Sequence, residues 1–522
     1  MVVLPDNDEP GQKHAASVAN QLTVRGCRVR VLELPGLPEK GDVSDWLAAG
    51  GTKDELLALA EAAPEWGPDQ NNQGALNPTV YDEWTDLLAE TGRYSVDSRG
   101  YLCFEKFSER GGAESIPIAN FLARPIREVS RDDGREVQLT FEIGGILTGG
   151  RCLPAVSVPA KDFAAMHWVS SSWGLGANIE PGIGAKEKVR HAIQSLASDV
   201  PRETIYTHLG WRQIGGKWVY LHAGGAVGAE GIRCEPGEGL IRYILPDTAD
   251  PDAAKRSLRL LGVAPQEVTI PLFSLMFLAP LCEPLRRAGC EPAFVLWLAG
   301  QTGAMKSTLA ALFISHFGEF PDKTALPGSF KDTENSLEKR GFLAKDTVFV
   351  VDDFHPVASP VDARKMLKTA QGILRAYGDR KGRTRMKADT SIREGFPPRG
   401  LCLVTGEDLP DGGQSTTARY LTVELQRGAA DLELLTECQA NAAMLAQAMR
   451  GYVEWLAPRL DGIPEKLRKR FEECREEAMA DEQHGRIPEV VAWLLLGFHS
   501  GLDFAVHTKA LTRTEFWKMF FV

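Results

Sequence analysis

Residues 294–308 restrict the fold of this chain more than any other stretch. The apolar run Phe294-Val-Leu-Trp-Leu298 leads into Gly300-Gln-Thr-Gly-Ala-Met-Lys-Ser-Thr308. An unbroken apolar run predicts a strand buried on both faces, the kind found in a parallel sheet covered by helices. The glycines allow a tight turn, and Leu309-Ala-Ala-Leu-Phe313 carries the chain on as a helix. A strand that turns through glycines into a helix aims backbone N–H groups at one point, where they can wrap anionic oxygens. Gly300, Thr302, Gly303, Ala304, Met305, Lys306, Ser307 and Thr308 then form a candidate phosphate cradle. In it the Lys306 ammonium reaches the outer phosphates and the Ser307 hydroxyl ligates Mg²⁺. The spacing matches Gly-x-x-x-x-Gly-Lys-Ser/Thr except that Met305 stands where the second glycine is expected. A Cβ there resists the backbone angle usually adopted, at a cost on the order of 1–2 kcal/mol.

Two further runs can complete such a site. Thr347-Val-Phe-Val-Val-Asp-Asp353 is an apolar strand ending in two carboxylates. Ligands of open parallel sheets bind beyond the strands' carboxyl ends, so Asp352 is placed to hold Mg²⁺ and Asp353 to polarise an attacking water. Gly400-Leu-Cys-Leu-Val-Thr405 is a third strand whose Thr405 can orient the water or sense the terminal phosphate, although a plain turn has the same sequence. Ser415-Thr-Thr-Ala-Arg419 precedes a fourth strand, Tyr420–Leu425. Arg419 reads equally as a finger reaching a neighbouring subunit's nucleotide and as one half of a surface ion pair.

At 522 residues the chain is too long for one core, and three or four domains are expected. A formal net charge of −11 argues against a protein coated in nucleic acid, but leaves room for a confined basic patch. That patch is 364–387, with Arg375, Arg380, Lys381, Arg383, Arg385 and Lys387 besides Arg364, Lys365 and Lys368, against the single acid Asp379. Gly378 and Gly382 suggest a hairpin or loop that touches phosphate backbone, the alternative being a solvated face. Nine cysteines lie without Cys-x-x-Cys spacing, pointing to reduced thiols and no structural zinc. The longest apolar stretch, near Ile270–Cys282, is broken by Pro271 and Pro280 and is short for a bilayer, so a cytoplasmic protein without membrane contact is expected.

The pattern of the whole chain predicts an α/β fold in five parts. A strand–helix alternation covers 1–66, with a helix over Gly11–Gly26, and a Pro- and Asn-rich linker covers 67–93. A β-rich domain follows over 94–268, with runs such as Glu136–Ile143, Cys152–Val158, Thr204–Trp211 and Lys217–Leu221 and one helix, Ala185–Leu196. The nucleotide domain spans 269–427, and a helical C-terminal domain 428–522.

These residues resemble the bacterial domain-of-unknown-function family 927, P-loop ATPases related to superfamily-three and AAA+ helicases of phages and plasmids. The resemblance covers roughly 94–425 and rests on His208-Leu-Gly-Trp211, Ala279-Pro280, Asn335-Ser-Leu-Glu338, Val350-Val-Asp-Asp-Phe354 and Arg399-Gly-Leu-Cys-Leu-Val-Thr-Gly-Glu407. It implies ATP and Mg²⁺ as cofactors, a hexameric ring, single-stranded or forked DNA gripped by the basic insert, and Arg419 as the trans-acting arginine. Met305 departs from the family's glycine. The N-terminus is similar to the second half of a Toprim domain, through Val2-Val-Leu-Pro-Asp-Asn-Asp8, Gly11 and Lys40-Gly-Asp-Val-Ser-Asp-Trp46. That likeness implies a primase connection with Asp6 and Asp8 on Mg²⁺. An earlier strand with the third carboxylate would lie before Met1, and an Asx turn capping the helix at Gly11 explains both aspartates as well. The expected function is an ATP-dependent DNA helicase or translocase in replication of a mobile element, a primase as possible partner. The alternatives are a nucleotide-binding scaffold that hydrolyses poorly and the remnant of a primase-helicase.

Overall fold

The computed structural model describes residues 2–5, 7–8, 11, 15, 18, 29–32, 34–35, 37, 41–63, 78–107, 112–355, 359–382, 385–386, 392–393, 395–410, 413–479 and 486–520. Packing divides the chain into two compact units. One comprises Met1–Glu128 and Phe141–Pro201, the other Val129–Thr140 and Arg202–Val522.

In the first unit β1 (Val2–Val3) and β2 (Arg30–Val31) form a short parallel pair. The helix expected over Gly11–Gly26 lies mostly outside the described residues. Two helices follow with reciprocal caps: Asp42 and Asp45 exchange hydrogen bonds at Val43–Ala48, as do Thr52 and Glu55 at Lys53–Ala62. The antiparallel sheet of β3 (Tyr94–Val96), β4 (Leu102–Phe107) and β5 (Ala113–Ala119) comes next. The long hairpin β6 (Phe121–Asp132) and β7 (Val137–Leu147), whose turn-bearing end Val129–Thr140 belongs to the second unit, is extended by β8 (Cys152–Pro159). Phe121, Trp168, Trp173 and Val189 lie in its core, the last supplied by the Ala185–Ser195 helix.

The second unit starts with β9 (Arg202–Tyr206), β10 (Gly210–Ile214), β11 (Lys217–His222), β12 (Gly225–Val227) and β13 (Arg233–Cys234). The run expected as one strand over Thr204–Trp211 is thus two, broken at Thr207-His208-Leu209. The break turns the buried His208 into the interior, where its Nδ1 meets the Leu209 carbonyl at 2.8 Å.

The centre of this unit is a parallel sheet of β14 (Val295–Ala299), β15 (Gly328–Ser329), β16 (Val348–Phe354), β19 (Leu401–Gly406) and β20 (Tyr420–Glu424), in the order β15-β16-β19-β14-β20. The residues of β14 and β19 are all buried, which is why they read as unbroken apolar runs. Between β16 and β19 comes the antiparallel ribbon of β17 (Arg385–Met386) and β18 (Ile392–Arg393).

No division falls at the expected boundaries near 268 and 428: residues 202–522 pack together with 129–140 as one unit, C-terminal helices included. These helices share one hydrophobic core with the sheet, from Leu209 through Trp297 and Val404 to Phe516. The Ile487–His507 helix lies against Gln266–Leu278 so closely that a Cβ on Gly497 would sit 2.2 Å from the Ser274 carbonyl oxygen. Among the described residues Gln266–Arg287 and Ile487–His507 are long and apolar enough to cross a membrane, against the expectation for the stretch near Ile270–Cys282, but the apolar window of each is mostly buried inside the protein.

Candidate nucleotide site

The glycine-rich loop leaves the carboxyl end of β14 and enters the Lys306–Ile314 helix. Gly300 is needed at its start. A Cβ there would lie 2.4 Å from the Leu425 carbonyl oxygen, and the Gly300 amide donates to the Gly406 carbonyl at 3.1 Å. Met305 holds φ 71° and ψ 18°, the left-handed conformation that a glycine would adopt without strain, and its side chain is 40% exposed. The chain therefore keeps the expected backbone at this slot despite its Cβ.

Lys306 is buried at the first position of the helix. Its Nζ donates to the carbonyls of Gly300 at 2.6 Å and Gln301 at 3.0 Å. Burial lowers its pKa below the usual lysine value, while Glu407, Asp352 and Asp353 pull the other way. Ser307 and Thr308 follow in the helix's first turn, both half-buried.

Asp352 and Asp353 end β16 in a bulge. Val351 pairs with Val404 and Phe354 with Gly406, so one strand carries an extra residue over this interval. Asp353 takes φ 76° within it. The bulge is tied by Thr405, buried on β19, whose hydroxyl donates to Asp352 Oδ1 at 2.5 Å and accepts from the Asp353 amide at 3.1 Å. The Thr405 proton is thus committed to Asp352, and one of its two lone pairs to the Asp353 amide, which ties the two aspartates to β19. His355 Nδ1 lies 3.3 Å from Asp353 Oδ1.

Two residues were not assigned to the site from sequence, although Glu407 closes the run Arg399–Glu407. Glu407, just past β19, accepts from the Thr302 hydroxyl at 2.5 Å and so reaches the loop. Arg427 follows β20, and its Nε lies 3.8 Å from where a Cβ on Gly303 would sit. Neither is marked locally as a site residue, because a half-buried Glu or an exposed Arg after a strand gains meaning only from the strand order.

Other candidates sit elsewhere. Arg419 is at the amino end of β20, at the sheet edge opposite the loop, and pairs with both Asp379 oxygens at 3.0 Å. The basic segment expected as a hairpin or loop is helical over Pro360–Asp379. Ser359 caps it by accepting the Asp362 amide, and Ala370, Ile373, Leu374 and Tyr377 bury one face. That spacing was legible in the sequence, but the charges obscured it. Arg375 and Lys381 are exposed. Arg380 is not available for nucleic acid. Its guanidinium clamps the carbonyls of Pro292, Pro398 and Gly400 with only 12% of the side chain exposed, as a backbone-satisfying group. Arg385 lies on β17 opposite Arg393, while Arg383 and Lys387 fall outside the described residues. At the N-terminus Asp8 accepts the amide of Gly11, three residues on, at 2.7 Å, the spacing of a helix N-cap bond, and Asp6 also lies outside the described residues. No group of three or more His, Cys, Asp or Glu among the described residues has metal-holding geometry.

No family model matches the chain, and no curated protein matches it. Among solved structures, SCCmec type IV Cch, an active helicase, aligns over 82% of this chain and 77% of its own, with 13% identity and a TM-score of 0.48. JCV helicase, solved with a small-molecule acetamide bound, aligns over 44% of this chain and 65% of its own, with 12% identity and a TM-score of 0.23. Likenesses this distant carry no argument about activity, which has to come from the geometry of the site.

Proposed function

We propose that this chain is an ATP-driven motor on DNA, a helicase or translocase serving replication of a mobile genetic element. One observation carries the reading: Lys306, Asp352 and Thr405 come from three adjacent parallel strands and their connections, and meet at one carboxyl edge. The donor set suits a nucleoside triphosphate with Mg²⁺: a helix N-terminus, a buried ammonium, a first-turn hydroxyl and a carboxylate. Ser307 and Asp352 would hold the ion, which when bound supplies positive charge against the phosphate oxygens. Lys306 would exchange its loop carbonyls for phosphate oxygens. Asp353, turned by the bulge and 46% exposed, would orient the attacking water. The basic helix face around Arg375 would contact single-stranded or forked DNA. In a hexameric ring Arg419 would serve the neighbouring site, which requires its release from Asp379.

The test is ATP hydrolysis with and without single-stranded DNA, for the native chain and Lys306→Ala. Stimulation by DNA that disappears with Lys306→Ala is the expected result. Absence of ATP uptake in the presence of Mg²⁺ would end the motor reading. ATP binding with no response to DNA would favour a hydrolysis-poor scaffold, for which the strained Met305 speaks. Primer synthesis would be needed to revive the Toprim reading, and Asp8 is already used as a cap.

A further inference from the structure

We infer that the second unit holds a single unstacked base of single-stranded DNA in a pocket between the Glu334–Leu343 and Pro360–Asp379 helices. The inference rests on the DNA-motor reading and names the form of nucleic acid that this face takes. A cavity of about 330 Å³ opens there over β16. Leu337, Phe349, Ile373 and Phe396 make its wall apolar. Tyr377 also lines it, and its buried hydroxyl, which has no hydrogen-bond partner, lies 2.7 Å from where a Cβ on Gly341 would be.

Charge decides what such a slot takes. Lys368, Arg375 and Lys381 stand exposed on its rim. Arg364, Lys368 and Arg375 recur at spacings of four and seven, which is one face of the helix. A basic stripe beside an apolar slot, in a chain of net charge −11, suits a phosphate backbone on the stripe and a ring in the slot. The acids at the cavity are consistent with this. Asp379 is neutralised by Arg419, and Glu338 accepts the Phe396 amide at 3.4 Å. Duplex DNA keeps its bases stacked and cannot fill the slot. The pocket therefore discriminates for single strands, on the face of the sheet covered by the Pro360–Asp379 helix.

The test compares binding of a short oligodeoxycytidylate with an abasic oligomer of the same length and charge, by fluorescence anisotropy without any nucleoside triphosphate. An inert phosphate loop would not affect the outcome. The native chain should prefer the base-bearing strand by about tenfold, the scale of one buried base. Ala376→Phe, which fills the cavity, should erase that preference and leave abasic binding unchanged. Gly372→Leu repeats the test from a position where the nearest atoms to an added Cβ belong to the Glu334 side chain, and a melting curve establishes that each variant folds. Lys368→Ala with Arg375→Ala should weaken both oligomers alike and flatten the salt dependence by roughly 0.7 per lost phosphate contact. Equal affinity of the native chain for both oligomers would overturn the inference, as would a preference that survives in either folded, filled variant. Saturable uptake of cytidine monophosphate with no discrimination between oligomers would overturn it too.

Discussion

Met305 gives the sharpest test of how the loop is held, because its backbone angle and its exposure pull predictions apart. The residue sits at φ 71°, where an L-residue costs about 1–2 kcal/mol relative to the right-handed region. Met305→Gly removes that strain but adds about 0.5–1 kcal/mol of backbone entropy to the unfolded chain. With the Met side chain 40% exposed, little burial is lost. The net gain is about 0.5–1 kcal/mol, read as a shift in denaturant midpoint at constant slope. Met305→Asn should behave nearly as well, since Asn tolerates this region. Met305→Val, β-branched, should lose about 1–2 kcal/mol against Met. Because the loop already adopts the conformation with Met in place, ATP affinity should change by less than about threefold across Gly, Asn and Met, under 1 kcal/mol. A Val variant as stable as the Gly variant would refute the left-handed start of this helix and the strain argument with it.

Thr405→Val keeps the shape of the side chain but leaves Asp352 and the Asp353 amide without their shared partner. It should cost about 1–3 kcal/mol in stability and lower kcat more than it raises KM, which steady-state kinetics beside a melt would check. Lys345 is buried against Asp346 at 2.7 Å and Glu283 at 3.2 Å, and burial pushes the Asp346 carboxyl up to about 6. Lys345→Met leaves the buried Asp346 carboxylate without its cation, while Glu283 keeps Arg286 at 2.6 Å, and should destabilise by about 3–5 kcal/mol in chemical denaturation. His316 is fully buried, bonded to the Phe313 carbonyl and the Ser257 hydroxyl, and burial lowers its pKa to about 4. The unfolded chain binds the proton near pH 6.5 while the folded chain refuses it, so stability is whole above that pH and falls as pH drops towards 4. At pH 5 this histidine alone should cost about 2 kcal/mol, seen as a lower calorimetric midpoint that His316→Asn partly restores.

Much of the candidate nucleotide site is local and so was legible. The strand–turn–helix around Gly300, the carboxylates ending the Val350 strand and the run before Thr405 each announce themselves within a few residues. Burial on both faces leaves an apolar signature that needs no tertiary context. The basic segment misled for the same local reason. Its charges are dense, yet the Ala370, Ile373, Leu374 and Tyr377 spacing beneath them makes it an amphipathic helix with one face in the core.

Along the chain, then, sequence alone determined four of the five central strands, β15 having no pattern to mark it, where the loop turns, and that Met305 occupies a position built for glycine. Tertiary structure decided the rest. Only the strand order puts β19 between β14 and β16, so that Thr405 bridges the aspartates and Glu407 reaches Thr302 across 105 residues of chain. Only packing turns Arg380 from a nucleic-acid candidate into a clamp on three carbonyls, and commits Arg419 to Asp379. A charged side chain carries the same letter whether water, phosphate or a buried carbonyl receives it. Its partner is set by segments far away in sequence, which meet it only once the core has closed.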